Sequence, residues 1–298
     1  MKTLPRAFAF GLGAVLLAAP RPAAAQATLD TTLAVRSGTR LELQNIAGSI
    51  EIRLTRRSEV RVHAEYDRAR IEVDVSAGVV SVRTIPRRNG GEVTYTVEVP
   101  AGTELQVNGF SSDITVRGIC GEAELHTLSG DILLECARGN VSVRSVSGEV
   151  TVSDARGRLE AGSTSGSVMV RDAQADVTAQ STSGDVTLDR IDGRDVSGET
   201  ISGEVTYRGT IADGGRYRFQ SHSGDVTVQP AGRDLNASVS VSTFSGDLES
   251  DYPVTLTQTG RIRPREFEFT IGRGSARLTL ASFSGTIYLR RTAPGRED

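Results

Sequence analysis

Serine, glycine and a carboxylate recur together along this chain, and that trio contains the parts of a hydrolytic site. Ser129-Gly130-Asp131 is followed by Ser147-Gly148-Glu149, Ser165-Gly166-Ser167 and Ser183-Gly184-Asp185. Looser copies follow at Ser202-Gly203-Glu204, Ser223-Gly224-Asp225, Ser245-Gly246-Asp247 and Ser284-Gly285-Thr286. A serine nucleophile needs a base beside it. The chain has three histidines, His63, His126 and His222, at no fixed offset from any serine. Eight copies of one serine cannot all be nucleophiles, so a structural role is expected for the motif. The acids offer a second chemistry, since stacked carboxylates suit Ca²⁺. The Gly-Gly-x-Gly-x-Asp nonapeptide of calcium-binding β-rolls is absent, however. Two like charges one coil apart in water repel by only about 0.9 kcal/mol, so solvated turn acids suffice. No cofactor and no metal site are expected.

Lys2 is the only lysine in the sequence, which excludes Schiff-base and Ser-Lys chemistry from the chain beyond the first residues. Two cysteines remain, Cys120 and Cys136. Aligned on the repeat they lie in successive coils, two positions out of register. Neighbouring strands stand about 4.8 Å apart, so a disulfide between them is geometrically feasible. The alternative is two unpaired thiols.

The elements that position these residues follow from the spacing. A period of about 18 residues, loosening to 22, marks one structural unit stacked on itself. In the unit around Gly148, Val141 and Val143 precede the turn and Val150 and Val152 follow it. Matching pairs recur, among them Leu159/Ala161 with Val168/Val170 and Leu278/Leu280 with Ile287/Leu289. Alternation turns one side of each short strand inward. Such a strand pair buries its apolar row only when the next coil stacks on it in parallel. The expected fold is therefore all-β, a single-stranded parallel β-helix (β-solenoid), right-handed, with roughly 18–22-residue coils. About a dozen coils at ~4.8 Å each give a rod of roughly 60 Å.

Each slot in the unit has a reading. A hydroxyl stands two residues before the turn serine in all eight copies: Thr127, Ser145, Ser163, Ser181, Thr200, Ser221, Thr243 and Ser282. Stacked, these hydroxyls can bond to one another and to turn backbone. The slot between hydroxyl and serine varies, from Leu128 and Val146 through two threonines to Ile201, His222, Phe244 and Phe283. Its parity points it away from the core or into a corner. The last four residues form a partly apolar stripe that reads as a partner surface. Packing under the long 246–285 connection accounts for them equally well.

The ends divide the chain. Met1-Lys2-Thr3 with Arg6, an apolar run and Ala23-Ala24-Ala25 have the layout of a secretory signal peptide over residues 1–25. Removing Lys2, Arg6 and Arg21 takes the formal charge from −3 to −6. That is mildly acidic and gives no electrostatic case for nucleic acid. No integral membrane segment is expected after cleavage. Residues 26–110 read as capping or variant coils, 111–290 as the regular solenoid, and 291–298 as a disordered tail. Within the solenoid, 251–275 reads as irregular and 276–290 as the last coil.

The repeated Ser-Gly-Asp/Glu-Val/Ile-x-Val, the Val99-Pro100-Ala101-Gly102 turn and the closing Ser282-Phe283-Ser284-Gly285-Thr286-Ile287 carry a resemblance. The chain resembles the bacterial β-strand-repeat proteins grouped as putative adhesins, a domain-of-unknown-function family of exported β-helix proteins. Ser111-Ser112-Asp113 departs from the motif by lacking its Gly. The resemblance implies an exported β-helix and supplies no catalytic residues. The expected function is non-enzymatic: adhesin-like binding or surface presentation, periplasmic or at the cell surface, with an unidentified protein or glycan as ligand. The alternatives are a β-helical carbohydrate-active enzyme and a scaffold component of an envelope assembly. The enzyme would show itself by a deep polar cleft with converging carboxylates.

Overall fold

The computed structural model describes residues 27–292 except 37, 88–89, 119–120, 233, 254–256 and 259–264. The expected signal peptide lies outside these residues, as does most of the expected tail. The described chain is all β-strand, with no helix. In its middle the strands Ile132–Ser145, Val150–Ser163 and Val168–Ser181 stack in parallel, each residue opposite the one 18 later: Ile132 on Val150, Val150 on Val168. The chain is a β-solenoid, as the period predicts. Alternate residues, such as Val141, Val143, Val150 and Val152, are buried inside the coil. Each such Val or Leu side chain contributes about 1.5–3 kcal/mol when fully buried. The interior is thin, so every rung depends on the rungs above and below it.

A coil closes because its backbone can bend at set places. At the Ser-Gly corner the stacked turns touch backbone to backbone: a Cβ on Gly148 would lie 1.8 Å from the carbonyl oxygen of Gly130. No residue larger than glycine fits there without moving the neighbouring coil. A second corner takes left-handed φ at Cys136 (68°), Asp154 (51°), Asp172 (54°) and Arg190 (53°). That conformation is costly outside glycine, yet it recurs in four successive coils. The small residue after the corner is then buried: Ala137, Ala155 and Ala173.

Both ends depart from simple stacking. Ala276–Ser282 lies between Arg216–Ser221 and Ala237–Thr243, parallel to both. Ile287–Leu289 likewise lies between Val226–Pro230 and Leu248–Ser250. So 276–290 is a coil, as expected, but it is inserted beneath the preceding one and is not the outermost. Its slots match those of either neighbour, which is why sequence order misleads here. Within the segment expected to be irregular, Arg265–Ile271 is a strand, antiparallel to Ala237–Thr243.

The N-terminal end does the same in mirror order. Arg40–Thr55 is sandwiched between Glu104–Arg117 on one side and Val79–Pro86 and Val93–Pro100 on the other. Antiparallel pairs cover the outside: Ala69–Ser76 on Val79–Pro86, and Ala27–Ala34 on Glu59–Tyr66, which itself pairs Val93–Pro100. A buried polar network fastens this cover to the inserted coil. The Thr84 hydroxyl donates to Asn45 Oδ1 at 3.0 Å and meets the Tyr95 hydroxyl at 2.7 Å. Asn45 Nδ2 donates to the carbonyls of Val93 and Ala47. Burial pushes the Tyr95 phenol up to about 12, against the pull of its bond to Thr84.

Among the described residues no helix is long and apolar enough to cross a membrane, which leaves β-barrel spans unaddressed.

Candidate functional site

The hydroxyl slot is structural. Ser145 Oγ donates to the Gly130 carbonyl at 3.0 Å and accepts from the Gly148 amide at 2.9 Å. Ser163 and Ser181 repeat both bonds one coil on. Thr200, Ser221 and Ser282 donate to the carbonyls of Gly184, Gly203 and Gly224. Each hydroxyl thus joins two coils through backbone, where sequence reasoning also allowed bonds between the hydroxyls. A hydroxyl that donates to one coil's backbone and accepts from the next coil's is fastened into the turn it closes.

The histidines serve elsewhere. His126 Nε2 meets Glu124 at 3.0 Å, and His63 sits between Asp30 and Glu65 at 3.8 and 3.6 Å.

The acid slot does more than the sequence suggested. Asp131 Oδ1 accepts from the backbone amide of Glu149 at 2.8 Å, and Asp185 Oδ1 from that of Glu204 at 2.8 Å. Asp113 holds the amide of Asp131 at 3.0 Å and Asp225 that of Thr286 at 2.7 Å. The shorter acid makes this link to the next coil. The presence of Asp at these turns was the signal available in the sequence. Among the described residues no group of three His, Cys, Asp or Glu is placed to hold a metal ion.

The variable slot is where the surface acquires character. Ile201, His222, Phe244 and Phe283 form one column, and the inserted coil changes their order along the rod to 201, 222, 283, 244. The His222 and Phe283 rings stack at 4.6 Å between centroids, 14° apart in plane. Phe283 and Phe244 stack at 4.6 Å and 4°. The rise of the solenoid sets this spacing, since neighbouring strands stand about 4.8 Å apart. Both faces of Phe283 are covered by neighbouring rings, and the residue is still 46% exposed. Aromatic pairs of this kind contribute about 0.5–1.5 kcal/mol beyond their buried area.

The column walls one side of a groove of about 880 Å³ that runs along the rod from Arg144 to Phe244. Gln180, Glu199 and Gln220 line it on successive rungs, flanked along the rod by the small residues Gly162 on one side and Ala281 and Ser242 on the other. Glu199 is the one carboxylate among its described lining residues.

Cys136 occupies the left-handed corner of its coil, at φ 68°. No cysteine among the described residues is free. Cys120, its expected partner, lies outside them.

Comparison with known proteins gives a family and distant structural likenesses. No curated protein matches the chain. A putative adhesin from Bacteroides fragilis is 10% identical, with 90% of this chain and 99% of that one covered and a TM-score of 0.44. A putative adhesin from Parabacteroides distasonis is 8% identical over 89% and 98%, with a TM-score of 0.34. A putative cell adhesion protein from Clostridium sporogenes is 9% identical over 90% and 100%, with a TM-score of 0.24. The Toastrack DUF4097 family matches residues 39–204 and 180–290, which together span nearly the whole described solenoid. The chain belongs to the Toastrack DUF4097 family.

Proposed function

We propose that this protein is an exported, non-enzymatic β-solenoid that works by binding, in the manner of an adhesin. Its contact surface is the column Ile201, His222, Phe283 and Phe244 with the groove beside it. The observation that carries the reading is the exposed, ordered aromatic stack on a rod whose other large side chains are mostly buried. Large exposed apolar side chains gathered in one place favour a contact role. Glycoside hydrolysis needs two carboxylates flanking the scissile bond, and the groove's single Glu199 argues for binding over that chemistry. Export rests on the layout of residues 1–25. In this reading residues 26–110 cap the solenoid, 111–290 form its regular body, and Cys120 and Cys136 are paired across successive coils.

Protein and glycan arrays probed with the wild-type chain and with Ile201→Ser/Phe283→Ser test the reading. A ligand captured by the first and lost by the second is the expected result. No captured ligand, or one held equally by both chains, overturns it. Mass spectrometry of the exported chain should give an N-terminus at Gln26, and a mass about 2 Da lower before reduction than after it.

A further inference from the structure

The apolar column does not stop at the groove. Register places Ile46 opposite Phe110, and Phe110 opposite Leu128, which adjoins Val146. These four occupy the same slot as Ile201 and the aromatic stack, with Thr164 and Thr182 between the two halves. Ten large apolar side chains are exposed among the described residues, and seven of them lie on this one column. Scattered surface hydrophobics need no explanation, but a single file of them does. Ten rungs span nine intervals, or about 43 Å.

Charge is distributed unequally on its two flanks. One side is the acid slot, with Asp113, Asp131, Glu149, Asp185, Glu204 and Asp225. Among the described residues none of these six carboxylates is ion-paired with an arginine, while Asp247, the remaining acid of the slot, is engaged by a partner of its own. Elsewhere acids such as Asp30, Glu104, Asp172 and Asp195 are each paired with an arginine. The opposite flank is close to neutral, with Gln44, Asn108, Gln180 and Gln220, and with Arg144 and Glu199 of opposite sign.

We infer that this stripe docks a cationic amphipathic helix of a partner protein, laid lengthwise, its apolar ridge on the column and its basic side chains over the acid slot. The inference rests on the binding reading above and names its partner class. The acids repel an anionic membrane surface, which attracts basic segments instead. The stripe crosses the strands, so an added β-strand would meet side chains there and no backbone edge. An extended chain shows one face only every ~6.8 Å. A helix returns a side chain to one line about every 5.4 Å, closer to the rung spacing. About 29 helical residues would cover the full stripe at 1.5 Å each.

Fluorescence anisotropy with a labelled 28-residue Leu/Lys amphipathic helix, and with a Leu/Glu helix sharing its apolar face, tests this. The Leu/Lys peptide should bind, more weakly as salt rises, and the Leu/Glu peptide at least about tenfold less well. The variant Asp113→Asn/Asp131→Asn/Glu149→Gln/Asp185→Asn/Glu204→Gln keeps one acceptor oxygen on each side chain, enough for the single turn amide that each of these aspartates holds. It should melt like the wild type and lose about tenfold in Leu/Lys affinity. The pair Glu149→Gln/Glu204→Gln, whose side chains hold no turn amide, should show a smaller loss. Phe110→Ser/Phe283→Ser should lose about tenfold or more. Equal binding of both peptides, or no loss in the neutralised variants, overturns the cationic partner and leaves the binding surface standing. Binding of neither peptide, self-association through the stripe, or preference for phosphatidylcholine vesicles overturns the helix. The arrays judge the broader reading separately.

Discussion

The middle of the rod and its two ends are made of the same strands but are assembled by different rules. In the middle each coil rests on the one before it, 18 residues earlier, and carries the one after it. At the ends the coils Arg40–Thr55 and 276–289 are inserted one layer inward, and antiparallel strands close over them. The middle is modular, because a rung needs only its neighbours. The ends are interlocked, because one layer is held by segments far apart in the chain. An open parallel edge invites pairing with other chains, and the interlock replaces it with short antiparallel cover.

The contrast is best broken by deletion. Removing residues 164–181 joins Thr182 to Ser163 in the register that Thr164 held, and should leave a shorter rod with a single cooperative melt. Removing 276–289 takes out a layer between two others. It should abolish amide-exchange protection across 216–250 while the coils before 200 keep theirs. Equal damage from both deletions would end the distinction.

Glycines sharpen it next. Gly166→Ala puts a Cβ 2.1 Å from the Gly148 carbonyl oxygen and should cost about 3 kcal/mol or more in denaturant unfolding. Gly102→Ala, at φ +76° with nothing within 4 Å, should cost only the left-handed backbone penalty of about 1–2 kcal/mol.

Alkali tests the N-terminal interlock. Tyr95 titrates near 10 when unfolded and about 12 when buried, so its contribution is complete below pH 10 and is lost as pH rises through 12. That is roughly 2–3 kcal/mol. The loss should appear as weaker exchange protection in 40–55 and 93–100, and Tyr95→Phe should remove it.

A loss as small as that of Gly102→Ala is expected in the middle. Ser181→Ala leaves the Gly166 carbonyl and the Gly184 amide without their shared hydroxyl and should cost about 1–2 kcal/mol in the same unfolding measurement.

The solenoid was legible because Val141/Val143 and Val150/Val152 recur in fixed slots, and a fixed slot dictates which face turns inward. The hydroxyl and glycine at the turn were legible for the same reason. Stacking order at the ends was not. Leu278/Leu280 and Val239/Val241 present the same inward pair, and both register on one another, so the pattern cannot say which lies nearer Phe219. The antiparallel cover was hidden too, since alternation is blind to strand direction. The column beginning at Ile201 was visible as a list of residues. Its extension to Ile46 was not, because Ala47-Gly48 lacks the turn serine that flags the slot. The amide-holding aspartates were visible only as charges, because the sequence does not show which amide each one reaches.

The inserted coil also sets an order of events. As the chain is made, Ala237–Thr243 emerges well before the strand it must rest on, Ala276–Ser282. That layer has no floor until some forty further residues have followed it out (282 − 243 = 39). Folding can therefore run with synthesis up to Pro230 and must then wait and run backwards. A chain interrupted in that interval keeps an open edge over Arg216–Ser221, which would mark it to proteases and chaperones as unfinished.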